Sequence, residues 1–434
     1  MLIKDAIGKT VNDWSGIDEE CDCGERHKLT ASFFIGSGAE DSPREFMEKL
    51  APPGCGAVLL READRDADAL CSRLRRLGYT VYEMPLVRGD GFLKLESEKL
   101  PDSVRAVLGF GGGFIADCAK YLAAFKSLPC GVVVRSHASP SLLVPSASID
   151  GGGMPRLFKT GSPKVIVCDP DKLDLSGDAN AAAFGEISSR LLALFDWKFA
   201  ALIHGEKLCE TIYDAALGEV DGLLKSLRGM TRRTNAVSGM LLESGLKLSA
   251  LAALDDSSRL YGGGDTACAL ALEMLTRYEN GYCRLRGENE LLFSMMLADV
   301  YPKVFELKKS TGFLPPPDNN MRLEKLKEYF GIDEQIAARS VTPYQSDRAE
   351  KLCSYRIGEY EDELRGELER VSLRLSEAYR IFRRLYADDG FSLRGYLGVA
   401  EARLCIGLAP EMHSKFTTLT ELKNMGALDG YLID

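Results

Sequence analysis

The stretch Val107-Leu-Gly-Phe-Gly-Gly-Gly-Phe-Ile-Ala-Asp-Cys-Ala-Lys-Tyr121 constrains the fold more than any other part of the chain. An apolar strand, Val104 to Leu108, runs into Gly109, Gly111, Gly112 and Gly113, and a helix is expected to open at Phe114. Glycine lets the backbone come close to a bound anion, and the first turn of a helix points unpaired N–H groups at it. Strand, glycine loop and helix in that order are how an α/β domain holds a pyrophosphate. Three glycines alone also make a tight turn. Asp117 and Ala119-Lys-Tyr121 behind them make the segment more specific.

Strands alternate with helices through the first part of the chain. Ala31 to Ile35, Gly56 to Leu60, Thr80 to Met84, Val104 to Leu108, Cys130 to Val134 and Lys164 to Cys168 read as strands; Glu45 to Leu50 and Ala67 to Leu77 read as helices. This alternation predicts a mostly parallel sheet covered on both faces. Ligands of such sheets sit beyond the carboxyl ends of the strands, where the glycine loop and Arg135-Ser136 both emerge. After Asp169-Pro170 helical periodicity takes over: Asn180 to Leu208, Tyr213 to Leu227, Ala236 to Ala253, Thr266 to Leu275, Glu288 to Leu307 and Arg356 to Leu385, with Gly312 to Asp318 a loop. The expected organisation is an α/β dinucleotide-binding domain with a Rossmann-like parallel sheet over 1–172, then an all-helical domain over 173–434.

A formal charge of -10 over 434 residues argues against a nucleic-acid partner. No apolar run is read as long enough to span a membrane. The twelve cysteines lack disulfide-scaffold spacing and read as small buried hydrophobes in a reducing cytoplasm. One group stands apart. Cys21-Asp-Cys-Gly-Glu-Arg-His27 offers three soft metal ligands, but zinc sites recruit four and no second Cys/His pair is evident, so a turn at Gly24 is the simpler expectation. The charged run Glu359 to Arg384 reads either as a solvated helix face with i,i+4 pairs or as a surface for self-association into a homo-oligomer.

Several of these segments together resemble the family of glycerol dehydrogenases, iron-containing alcohol dehydrogenases and dehydroquinate synthases, and most closely its bacterial-type sn-glycerol-1-phosphate dehydrogenases. The resemblance rests on Cys21 to His27, Gly109 to Tyr121, Val132-Val-Val-Arg-Ser-His-Ala-Ser139, Phe184-Gly-Glu186, Phe195-Asp-Trp197, Ser258-Arg259 with Gly262-Gly-Gly-Asp265, Arg286-Gly-Glu288, and Ala409 to Thr418. It implies a dehydroquinate synthase-like fold, an NAD or NADP cofactor, and a small phosphorylated or polyol substrate. By the same resemblance Gly111, Gly112 and Gly113 hold the pyrophosphate, Asp117 and Lys120 support the loop, and Ser136 and Ser139 match the two hydroxyls of a cofactor-contacting Thr-x-x-Ser. Arg135 replaces the usual proline. Arg61-Glu62-Ala-Asp64, after the second strand, carries both signs of charge and does not decide between NAD and NADP.

The family's chemistry uses a divalent cation on one aspartate and two histidines, acting as a Lewis acid on the alcohol oxygen. The flanking motifs put these positions at Ser141, Thr266 and Arg286. Asp150 is a rival for the aspartate, but it lies far past the strand ending at Val134. His204-Gly-Glu imitates a histidine motif on an earlier helix. The chain holds only His27, His137, His204 and His413. A guanidinium is a permanent cation with no lone pair to offer a metal, so a divalent metal is not expected there. Arg286, Thr266 and Ser141 become the candidate catalytic residues, with Arg286 suited to an anion and Asp265 or Glu288 its expected partner. His137 reads as structural, with a place facing the nicotinamide as the alternative, His204 as a helix-surface residue, and His413 as a residue that could line the cleft. Three functional readings follow: an NAD(P)-linked oxidoreductase of altered mechanism, an inactive relative that binds a dinucleotide or phosphorylated metabolite, or a different metal-free reaction in a biosynthetic pathway.

Overall fold

The computed structural model describes residues 1–61, 64–85, 89–151, 154–173, 176–230, 234–279, 285–307, 319–340, 356–386 and 397–428. The expected loop Gly312 to Asp318, and Glu62, lie outside them. The chain divides into two compact units, Met1–Ala183 with Thr234–Ser258, and Phe184–Arg233 with Arg259–Asp434.

The first unit opens with a small antiparallel hairpin, β1 (Asp18–Glu20) and β2 (Arg26–Lys28). Its main sheet is parallel and six-stranded: β3 (Ser32–Ile35), β4 (Gly56–Arg61), β5 (Thr80–Pro85), β6 (Val104–Gly111), β7 (Cys130–Val134) and β10 (Val165–Cys168), in the order β3-β10-β7-β6-β4-β5. These strands form because their apolar runs are buried on both faces, as a parallel sheet requires; β7 is buried at every residue. One face packs Leu59, Leu108, Val133 and Val167 against Phe46, Leu70 and Leu74.

From β4 the chain runs through α1 (Arg65–Arg76) to its neighbour β5; from β6 it runs through α2 (Gly113–Lys126) to β7 on the other side. The order therefore reverses between β4 and β6. That is a topological switch point, the place where an open α/β sheet leaves a crevice at its carboxyl edge. The glycine loop ends β6 at this edge.

Sequence periodicity did not reveal a second antiparallel hairpin, β8 (Ser146–Asp150) and β9 (Pro155–Lys159), which packs over α2. Its strands carry too many polar residues to stand out. The strand expected over Ala31 to Ile35 is β3, which begins one residue later at Ser32.

Three long helices follow: α3 (Gly177–His204), α4 (Glu210–Leu227) and α5 (Asn235–Leu254). α5 is long and apolar enough to cross a bilayer, contrary to the sequence reading, but 78% of its apolar window is buried in the protein. Its two charges, Glu243 and Lys247, pair at 3.2 Å. It belongs to the first unit, where Gly245 abuts Pro140 and Glu243 accepts from the Val11 N–H at 2.7 Å. The second unit is helical among its described residues, with α6 (Gly264–Glu279), α7 (Arg286–Val300), α8 (Glu361–Tyr386) and α9 (Thr418–Asn424). The helix expected to Leu307 stops at Val300 and resumes at Lys303, because Pro302 has no N–H to continue the ladder.

Candidate functional site

In the first unit the glycine loop is fitted to the segment after β7. A Cβ on Gly112 would lie 3.4 Å from the Ser136 Cβ, and one on Gly113 only 2.7 Å from the Ser139 Cβ. α2 starts at Gly113 with no side-chain cap among the described residues, the kind of helix start that presents N–H groups to an anion. Ser139 and Ser141 share a hydrogen bond at 3.1 Å. Ser136 and Ser139 therefore lie beside the loop, with Ser141 bonded to Ser139.

Asp117 and Lys120 act behind it. Asp117 accepts from the Ser148 N–H at 3.0 Å and pairs with Lys120 at 2.8 Å. Lys120, 2% exposed, donates to the carbonyls of Val144 (3.2 Å) and Ser146 (2.6 Å). Both residues fasten β8 to α2. Asp150 ends β8.

Arg135 projects beside Phe110, 5.3 Å from its ring, and meets Asp66 at 2.7 Å and Glu40 at 3.3 Å. Burial raises the Glu40 carboxyl above its ordinary range despite the nearby Arg135 and Lys172. At the end of β4, Arg61 pairs with Asp68 at 2.7 Å and Glu83 at 2.5 Å. His137 is fully buried, its Nε2 3.1 Å from Asn180 Oδ1, which also accepts from Ser238 at 2.8 Å.

In the second unit α6 and α7 run antiparallel. Ser294 of α7 donates to Asp265 at the start of α6 (2.6 Å), while Arg286 at the start of α7 grips Glu273, with Nε–Oε1 at 2.8 Å and Nη2–Oε2 at 3.0 Å. Arg286 thus meets α6 at Glu273, seven residues beyond Thr266, or about 11 Å along the helix axis at 1.5 Å per residue. Leu270, one turn before Glu273 and on its face, offers no metal donor. The described partner of Arg286 is Glu273, which the sequence reading missed. An acidic residue within the apolar run Ala267 to Leu275 was the available signal.

Thr266 Oγ1 is buried without a hydrogen-bond partner among the described residues. Asp265 is turned inward and accepts from the Thr266 N–H at 2.8 Å; burial pushes its pKa up to about 7. Beside it Arg190, fully buried, pairs with Glu290 and lies 4.3 Å from the Tyr261 ring. Burial works against its charge, but Glu290, Asp265 and Glu186 together hold Arg190 protonated.

Asp196 organises this end of the unit. Fully buried, it accepts from the N–H groups of Gly264 and Thr418 and the hydroxyls of Tyr301 and Thr418, all at 2.8 Å. Phe184-Gly-Glu186 meets Arg286-Gly-Glu288 directly, for a Cβ on Gly185 would lie 2.2 Å from the Gly287 carbonyl oxygen. His413 is half-buried with Nε2 3.2 Å from the Gly263 carbonyl, and desolvation, with Lys415 nearby, lowers its pKa to about 4. His204 is exposed.

No protein-family model matches the chain. It is 25% identical over 335 residues to the glycerol-1-phosphate dehydrogenase (NAD(P)+) of Sulfurisphaera tokodaii, covering 74% of this chain and 90% of that protein. Glycerol dehydrogenase from Schizosaccharomyces pombe superposes with a TM-score of 0.53 at 15% identity, covering 92% of this chain and 89% of that one. Iron-containing alcohol dehydrogenase from Corynebacterium glutamicum gives 0.50 at 13% identity, covering 94% and 96%. The chain has the fold of the glycerol and iron-containing alcohol dehydrogenases. The resemblance read from its motifs is therefore shown, together with the expected fold class.

Against that fold, the helical positions expected to bind metal do not fit one. Thr266 supplies no charge, Arg286 is a cation held by a carboxylate, and none of the four histidines lies on α6 or α7. The residues of the glycine loop do fit a dinucleotide: small at each close approach, and backed by an uncapped helix start.

Proposed function

We propose that the protein is an NAD(P)-binding relative of the glycerol-1-phosphate and alcohol dehydrogenases in which metal-assisted hydride transfer has been dismantled. Gly111, Gly112 and Gly113 bind the pyrophosphate, with Ser136 and Ser139 beside it. The cofactor would supply a hydride donor or acceptor. The protein's part is to orient it on the α2 start and exclude a side chain from the approach.

The observation that carries this reading is the bidentate pair of Arg286 with Glu273. A divalent metal supplies several kcal/mol of stabilisation to a developing alkoxide. A monovalent guanidinium already neutralised by a carboxylate supplies far less. The protein accordingly acts by binding a dinucleotide or a small phosphorylated or polyol metabolite. The alternative, an oxidoreductase with Arg286 as its electrophile, draws support from the partial exposure of that side chain, 34%.

Calorimetry with NADH and NADPH tests the binding half; no heat with either removes the proposal. Incubation with NADH or NADPH and dihydroxyacetone phosphate, with and without Ni or Zn, tests the chemical half. Metal-stimulated turnover refutes the dismantled site. Metal-independent turnover abolished by Arg286→Ala favours the alternative.

A further inference from the structure

The hairpin β1–β2 is too short to hold itself by packing, with three residues in each strand and β2 exposed on both sides of His27. Yet its loop is tightly drawn. The Cys21 N–H donates to the Glu25 carbonyl at 2.9 Å, and the Gly24 N–H to the Cys21 carbonyl at 2.9 Å. Gly24 turns the chain at φ +84°, a conformation glycine enters without strain. The effect is to put Cys21, Cys23 and His27 on one side, with their ligand atoms all within 4.8 Å of one another.

We propose that these three side chains hold a structural zinc ion. The Cys23 Sγ lies 3.3 Å from His27 Nε2. Sulfur and nitrogen bound to one tetrahedral zinc, at about 2.3 and 2.0 Å, stand roughly 3.5 Å apart. The histidine is prepared for the task. Its Nδ1 lies 2.8 Å from the carbonyl oxygen of Leu254, which can only accept, so Nδ1 carries the proton. The Nε2 lone pair is left facing Cys23. Metal-bound histidines are characteristically oriented through the second nitrogen in this way. His27 is also 3% exposed, whereas Cys21 and Cys23 are half-buried and open to an incoming ion.

Two thiolates neutralise a divalent cation and favour zinc over the hard cations magnesium and calcium. A fourth ligand from outside the hairpin completes the tetrahedron. Binding releases the two thiol protons as the S–Zn bonds form; no electron is transferred. Because His27 is anchored on the last residue of α5, the ion ties the hairpin to the helix that supports the Pro140 segment. The site is independent of the proposed nucleotide function.

The test is elemental analysis of the full-length, tag-free protein, joined to X-ray absorption at the zinc edge. The expected result is one zinc per chain with two or three sulfur ligands and a nitrogen. Cys23→Ser and His27→Gln should lose the ion, and Cys55→Ser, at a cysteine outside the hairpin, should keep it. Should the variants not fold, cobalt exchanged into the wild-type protein should give sulfur-to-metal charge-transfer bands. Zinc absent from protein grown with zinc, or zinc bound only through oxygen and nitrogen, overturns the proposal. Retention of the ion by folded Cys23→Ser overturns it equally.

Discussion

Gly185 and Gly218 are both helical glycines, but their surroundings are opposite. A methyl at Gly185 would enter the backbone of Gly287, whereas nothing lies within 4 Å of one at Gly218. Gly185→Ala should lower stability by about 1–3 kcal/mol through overpacking. Gly218→Ala should raise it by roughly 0.5–1 kcal/mol, because alanine loses less backbone freedom in a helix. Urea unfolding midpoints measure both. Glu421 gives a pH-dependent case. It is fully buried, with one oxygen accepting from Asn424 at 3.2 Å and the other without a hydrogen-bond partner among the described residues; burial pushes its pKa up to about 7. The folded state thus holds a proton that the unfolded state gives up near pH 4.5. The stability from that proton is complete below pH 4.5 and is lost as pH rises to 7. Glu421→Gln should be insensitive to this change. Between pH 5 and 8 it should gain roughly 2–3 kcal/mol on the wild type in denaturant titrations, and equal slopes would show that the carboxyl titrates normally.

At the scale of elements, the serine segment beside the glycine loop is positioned by parts it does not adjoin in sequence. A Cβ on Gly245 of α5 would lie 2.2 Å from the Pro140 Cβ, between Ser139 and Ser141. Gly245→Ala should displace that segment and weaken NADH binding about tenfold or more in calorimetry, with the glycine loop untouched. Undiminished affinity would show that the serines do not serve the cofactor. The loop itself was legible in the sequence, because β6 and β7 are consecutive, adjacent strands and both deliver their loops to one edge. The central strands were legible because burial on both faces leaves continuous apolar runs. The β8–β9 hairpin was not, since its residues face two environments without clean alternation. Nor was the pairing of Arg286 with Glu273. It depends on the antiparallel register of α6 and α7, which tertiary packing sets. The Cys21–His27 motif was visible as a string of ligands, but its convergence depended on the turn at Gly24 and on Leu254, distant in sequence.

For the molecule as a whole, the quantity that decides the proposed reading is the rate of hydride transfer. The relatives' fold gives this chain a carboxyl-edge crevice and a glycine loop, and binding alone lets a cofactor dock without a reaction following. Uniform binding does not lower a chemical barrier; only groups that grip the transition state more tightly than the ground state do so. On the proposed reading no metal stands at the alkoxide, which would have Arg286 to draw on while Glu273 competes for that charge. If about 4 kcal/mol of the metal's contribution is absent, turnover falls by roughly 10³-fold relative to a metal-dependent enzyme, at tenfold per 1.36 kcal/mol. The expected outcome is NADH oxidation with dihydroxyacetone phosphate at or near background, unchanged by added zinc or nickel. Chelation should leave that rate unchanged too, while stripping the hairpin ion and lowering the melting temperature. A chelator that abolished a measurable rate, restored by zinc or nickel, would place the reacting oxygen on a metal and remove the case for a dismantled site.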